Sequence, residues 1–243
     1  MLRNITFDLA RMHRHGSAFY EFLRLRKAFF VDQLHWDIPH NDDVEMDQYD
    51  NPSAWYSIVL DDDDVVVGGG RMMPTTATWG SHTYMLGDAV SGKLGAIPPS
   101  IMMGPLNTPE VWEGTRVVVA DGLSAPERAE CLSLIVSGMV DVAGRHGARE
   151  LICLSRPTVV RALRQLGFPA ERRGEPYVCA DDGNTYALLA MPAVHAERRA
   201  PARVPARVPA GIHAGVHAGV PGRAPSPTHV PPATAPVHAP SIK

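Results

Sequence analysis

The chain has 243 residues, 45% of them apolar and 20% charged, enough for one domain with a full hydrophobic core and typical of a soluble globular protein. No apolar run has the length of a membrane span, and Met1 to Ala10, broken by Arg3 and Asp8, lacks a signal peptide's apolar stretch, so a cytoplasmic protein is expected. The net charge of −3 divides into +5 on residues 195–243 and −8 on residues 1–194, and an acidic body argues against nucleic acid as the main partner.

In chain order, Ser17 to Leu34 is expected to be a helix, because Phe19, Phe22, Phe29 and Phe30 recur at spacings that share one face. His35 to Pro52 is polar and acidic and reads as a long ordered loop or a short helical turn. Ala54–Leu60 and Val65–Met73 read as strands joined by a solvated turn, Asp61–Asp64. A third short strand is expected around Trp79 to Val90, and a buried one over Trp112–Ala120, ending in Val117-Val-Val119. Ser124-Ala-Pro-Glu127 has the form of a capping box, so a helix follows to about Arg145 and closes at Gly147. Glu150–Leu154 is the next strand, Pro157–Leu166 a helix, and Tyr177–Ala180 with Thr185–Met191 a last hairpin around Asp181-Asp-Gly-Asn184.

This order makes residues 1–194 one α/β domain with a mixed sheet. From His195 to Lys243 the chain is Ala, Pro, Val, Gly, His and Arg, with ten prolines and no aromatic residue, and is expected to be a disordered tail. Cys131, Cys153 and Cys179 are odd in number and far apart, as buried thiols are.

Three clusters carry possible chemistry. Leu25-Arg-Lys-Ala-Phe-Phe-Val-Asp-Gln-Leu-His-Trp36, then Val44-Glu-Met-Asp-Gln-Tyr-Asp50, gathers an arginine, aromatics and carboxylates that suit a cationic ligand. The same residues also fit a helix with a buried Phe face followed by a solvated acidic loop. In Gly68-Gly-Gly-Arg71, the glycines would let backbone approach a ligand while Arg71 grips a carboxylate in bidentate fashion; a bulged edge strand fits equally. In Trp112-Glu-Gly-Thr-Arg116, alternation sets Glu113 and Thr115 on one face and Trp112, Gly114 and Arg116 on the other. An inward Glu113 suits a general base, and a structural salt bridge is the competing account.

Taken together and in this order, Leu-Arg-Lys…Phe…Trp, Glu-x-Asp-x-Tyr-Asp, Gly-Arg…Pro-Thr-Thr…Tyr-Met-Leu…Asp and Trp-Glu-x-Thr-Arg resemble the acyl-homoserine-lactone synthases of the LuxI type, over about residues 17–191. The family's recurrent charged and aromatic set falls on Arg26, Phe30, Trp36, Glu45, Asp47, Asp50, Arg71, Glu113 and Arg116. Met85 and Val117 stand where aromatics are common, Ala120 where an aspartate is frequent, and Gly92–Pro109 is unmatched.

The resemblance implies a GNAT-like mixed sheet flanked by helices and an acyltransferase of quorum sensing. Its two substrates are S-adenosylmethionine and an acyl thioester on acyl carrier protein or coenzyme A. It implies no cofactor and no metal. On the matching positions Glu113 is the base, and Asp47 and Asp50 organise the amine end. Trp36 and Phe30 line the adenosylmethionine side, joined in substrate binding by Arg26, Arg71 and Arg116. Ile152 and Met85 border the acyl chain. Arg156, Arg161, Arg164, Arg172 and Arg173 offer a basic surface for an acidic carrier protein, and the absence of an Arg-x-x-Gly-x-Gly/Ala loop favours carrier protein over coenzyme A. Two rivals remain: a GNAT-like enzyme acylating another amine from acyl-coenzyme A, and a non-catalytic relative that binds adenosylmethionine or an acyl chain.

Overall fold

One sheet organises residues 1–194, which are the residues described in the computed structural model; the expected tail lies outside them. Its strands are β1 (Arg3–Asp8), β2 (Trp55–Leu60), β3 (Val66–Pro74), β4 (Val111–Val119), β5 (Glu150–Ser155), β6 (Glu171–Val178) and β7 (Thr185–Pro192). They lie in the order β1-β2-β3-β4-β5-β7-β6, and every neighbouring pair is antiparallel except β4 and β5. That parallel pair is short. Val111–Gly114 lie beside Glu150–Cys153, and beyond Gly114 the two strands part.

The helices are α1 (Ala18–Arg26), α2 (Met85–Val90), α3 (Ala125–Arg145) and α4 (Val159–Gln165), with α1 continued by a π-helical turn over Lys27–Gln33. Glu127 closes the capping box of α3 by accepting the Ser124 N–H at 2.8 Å. The sheet separates two apolar layers. On the α3 side Cys131, Ile135 and Met139 pack with Met72, Val117 and Val119. On the α1 side Phe22, Phe30 and Trp36 pack with Val118, Ile152 and Leu154.

The three glycines of β3 explain how closely the helices approach. A Cβ on Gly68 would stand 2.5 Å from Cys131 Sγ, and one on Gly69 would stand 2.8 Å from the Phe22 ring. β3 is an inner strand between β2 and β4, so the glycines serve helix-to-sheet packing on both faces and the strand is no edge. Asp61–Asp64 forms the expected turn, with Asp61 Oδ1 accepting the Asp63 and Val65 N–H groups at 3.0 and 2.9 Å.

Three other expectations change. Residues 79–90 hold no strand: Trp79 and His82 make one isolated bridge, and Met85–Val90 coils into α2. Met-Leu-Gly-Asp-Ala contains no β-branched residue to favour extension. β1 was not foreseen, because its inner positions include the polar Asn4, whose side chain bonds Ser57 Oγ and the Ile58 carbonyl on β2. β6 also begins six residues earlier than its apolar part, at Glu171.

The largest correction concerns β4. Arg116 has φ +54°, and the β3–β4 register shifts between Gly69 and Arg71. This bulge breaks strict alternation. Trp112 and Val117 join the α3 layer, whereas Arg116 turns to the α1 side, the side on which Thr115 meets Arg71.

Candidate active site

Three acids and three arginines meet on the α1 side of the sheet, all at 7% exposure or less. Arg26 ends α1; Glu45, Asp47 and Asp50 come from the long loop; Arg71 and Arg116 rise from β3 and β4. Arg26 holds Asp50 in bidentate fashion at 2.8 and 2.9 Å and Glu45 at 2.6 Å. Arg71 grips Asp47 at 2.5 and 3.1 Å, reaches Asp50 at 2.9 Å, and donates to Thr115 Oγ1 at 3.1 Å. Arg116 bonds Asp47 at 2.9 Å and Glu45 at 3.3 Å. Tyr56 adds a hydroxyl to Asp50 at 3.0 Å, and the loop folds on its own acids through the Asp47 and Tyr49 N–H groups. The charges cancel, which is what lets six ionic side chains be buried together. Burial alone would raise both aspartates. Arg71 and Arg116 around Asp47, and Arg26 and Arg71 around Asp50, nevertheless hold both below the ordinary carboxylate range.

Glu113 stands apart from this network. Its two oxygens accept the N–H groups of Met85 and Leu86, both at 2.9 Å, in the first turn of α2. The residue is 1% exposed, and burial pushes its carboxyl up to about 7 against the pull of those two N–H groups and of Arg71. Met85 therefore meets Glu113 through its backbone, and its buried side chain belongs to the α1-side core. Sequence reasoning passed over what fixes α2 itself. Asp88 accepts from Tyr49 Oη at 3.1 Å, Thr83 Oγ1 at 2.8 Å, Lys93 Nζ at 3.0 Å and His82 Nδ1 at 2.9 Å. Its signal was the aspartate that follows Tyr-Met-Leu.

The aromatic wall lies beside Arg116. Phe30 is stacked on Trp36 with centroids 5.0 Å apart, and the Arg116 guanidinium sits 5.4 Å from the Phe30 ring centre. The bulge thus brings Glu113, Arg116 and the aromatic pair to one face.

A model of the autoinducer synthase family matches residues 10–200. The chain belongs to this family. An acyl-homoserine-lactone synthase of Ralstonia solanacearum is 31% identical over 188 residues, covering 70% of this chain and 86% of that protein. One from Acinetobacter nosocomialis is 32% identical over 177 residues, covering 70% and 89%. Among solved structures, TofI in a ternary complex with an inhibitor and MTA superposes with a TM-score of 0.62 at 25% identity, over 79% of this chain and 91% of that one. The synthase LasI shares the fold at a TM-score of 0.64 and 18% identity, covering 80% and 91%. The GNAT-like sheet expected from the family is the sheet observed.

The fork where β4 leaves β5 opens into a narrow apolar cleft. Gly114 and Val117 line it from β4, Val136 and Met139 from α3, and Leu163 from α4. On β5 the lining includes Leu151, Ile152 and Cys153. Alternation sends Leu151 and Cys153 to the α3 side and Ile152 to the core layer of Phe30 and Trp36. Burial pushes the Cys153 thiol up to about 12, so it is a neutral wall group. No helix among the described residues is long and apolar enough to cross a membrane.

The five arginines beyond the cleft do not form one free patch. Arg156 donates to Asn184 Oδ1, Arg164 to the Ala170 carbonyl at 2.7 Å, and Arg173 pairs with Glu150 at 2.6 Å and Glu171 at 3.2 Å. Arg161 and Arg164 border a shallow groove with Pro157, Val160 and Gln165.

Proposed function

We propose that this protein condenses S-adenosylmethionine with an acyl thioester, yielding an N-acyl-L-homoserine lactone and methylthioadenosine, and that Glu113 is the base. The observation that carries the role is Glu113 itself: a buried carboxyl raised to about 7, beside the fork from which the acyl cleft opens. The substrate's α-amine titrates near pH ~8 and must be neutral to attack. Glu113 takes the proton, directly or through a water. The amine nitrogen then bonds the thioester carbonyl carbon, and the thiol leaves. The methionine-derived carboxylate next closes on its own γ-carbon and expels methylthioadenosine. The fork-side backbone N–H groups of β4 beyond Gly114, where it parts from β5, receive the oxyanion in this reading.

In this reading Asp47 and Asp50 act with Arg26, Arg71 and Arg116 as a fixed frame that organises the amine end. Phe30 and Trp36 form the adenosylmethionine wall. The apolar cleft takes the acyl chain, and the reaction uses no cofactor or metal. The acyl group arrives on acyl carrier protein, which docks around Arg161 and the shallow α4 groove, with Arg156, Arg164, Arg172 and Arg173 at its edges. The site lies in the cytoplasm, where both substrates are made.

The test is product stoichiometry by mass spectrometry, with adenosylmethionine and matched carrier-protein and coenzyme A thioesters. One methylthioadenosine should accompany each acyl-lactone. Acylated product without methylthioadenosine would sink the synthase reading and favour acylation of another amine. A faster reaction with the coenzyme A thioester would overturn the carrier-protein assignment alone.

A further inference from the structure

Asp181-Asp-Gly-Asn184 reads in sequence as a hairpin tip. In the fold, one carboxylate of that tip reaches across to the N-terminal third of the chain. Asp182 Oδ2 accepts the Trp36 Nε1–H at 3.0 Å and the Tyr186 hydroxyl at 2.7 Å, while Oδ1 accepts the Asn184 N–H at 2.9 Å. The Asn184 side chain is bonded in turn by Arg156. Trp36 is 2% exposed, so its single donor has no route to water, and a buried N–H left without an acceptor is destabilising.

The bond selects one orientation of the indole. The Trp36 ring lies 25° from the plane of Phe30, and Phe30 faces the Arg116 guanidinium. A cation placed against an indole is held by the ring face, so the attraction depends on how that face is turned. Tyr186 donates to the same oxygen, while the Asn184 N–H holds the other.

We propose that Asp182 is a positioning residue of the adenosylmethionine site, acting through the indole N–H of Trp36. The inference rests on the reading of Trp36 and Phe30 as the wall of that site. A structural staple between the hairpin and the N-terminal segment would use the same bond, so the test must separate the two roles.

The experiment is equilibrium titration of the full chain with S-adenosylmethionine, without acyl donor, following ¹⁵N-indole signals; the chain has 4 tryptophans, and Trp36→Phe assigns the relevant one. Asp182→Ala should weaken binding about tenfold and shift the Trp36 signal, while Asp182→Asn, which keeps a carbonyl acceptor, should recover most of the affinity. Tyr186→Phe leaves the indole bond and should stay within about twofold of wild type. On the Trp36→Phe background, which has no indole N–H, Asp182→Ala should cost less than about twofold more. Unchanged binding in Asp182→Ala, or a full tenfold loss on the Trp36→Phe background, overturns the proposal. If Asp182→Ala does not fold, Asp182→Leu, which fills the same space without an acceptor, decides by the same comparison on the two backgrounds. A wild type that neither binds adenosylmethionine nor releases methylthioadenosine overturns the synthase reading itself.

Discussion

Glutamine at position 113 would remove one titration and leave every other group in place. In the folded chain Glu113 holds its proton up to about pH 7, against an ordinary value of 4.5. At 1.36 kcal/mol per pKa unit that difference amounts to about 3 kcal/mol. The sign follows from proton binding. Between pH 4.5 and 7 the folded state keeps a proton that the unfolded state has released, so wild-type stability falls as pH rises through this window. Above the folded value the loss is complete. Glutamine does not titrate, so the wild type should lose about 3 kcal/mol relative to Glu113→Gln between pH 4.5 and 8. Urea unfolding of both proteins across that range measures the difference, and groups common to both cancel.

A constant offset is also expected, because glutamine is not a neutral copy of this carboxyl. Met85 and Leu86 each present an N–H to Glu113 at 2.9 Å. An amide offers one oxygen and turns an NH₂ group on the other donor, at a cost of about 1–3 kcal/mol at every pH. Parallel stability–pH curves for the two proteins would show that Glu113 ionises near its ordinary value, and the base assignment would lose its physical support. The kinetic counterpart is a fall in kcat of about 10²-fold or more, with wild-type kcat/KM rising through pH ~7.

Asp47→Asn should destabilise the fold by about 3–5 kcal/mol, since Arg71 and Arg116 lose a buried partner. Because the arginines hold Asp47 low, its contribution is present above pH ~4 and fades below, so the gap from wild type should narrow in acid. Gly69→Ala should cost about 1–3 kcal/mol in urea unfolding, because the new Cβ meets the Phe22 ring at 2.8 Å and the Ser57 carbonyl at 3.1 Å; an unchanged midpoint would show that α1 shifts freely. In the proposed site Ile152 projects from the fork toward Phe30 and Trp36 and offers a 3-oxo group on that side no donor, so the wild type should prefer the unsubstituted chain by roughly ten- to a hundredfold in kcat/KM. A competition between matched donors checks this, and Ile152→Thr should narrow the preference.

Local signals carried most of the architecture. The Ser124/Glu127 capping box, the valine run of β4 and the glycine after α3 each act over a few residues, and each element formed where its signal lay. β1 escaped because Asn4 and Thr6 find their partners only across the strand pair with β2. α2 escaped because its first turn is completed by Glu113, 27 residues or more away, whose oxygens satisfy the Met85 and Leu86 N–H groups. The charged set was legible as a set and not as a geometry. Strict alternation sends Arg116 to the wrong face, and only the left-handed turn at Arg116 corrects it. Nothing local to Asp182 tells that its carboxylate would meet an indole 146 residues away.

The separation of Glu113 from the other acids bears directly on which group can take the proton. An ammonium near pKa ~8 passing its proton to Glu113 at about 7 climbs roughly one unit, or about 1.4 kcal/mol. Passing it to Asp47 or Asp50, both held below the ordinary 3.8, would climb at least four units, or about 6 kcal/mol. Each is also committed to bidentate contacts with a guanidinium, so accepting a proton would break the strongest bonds of the network. The arrangement therefore divides the labour in the proposed reaction. Three arginines fix two aspartates as permanent charge inside a neutral network, at the acidity where they cannot act as bases. Glu113, tied to N–H dipoles and not to a guanidinium, is left able to change its charge.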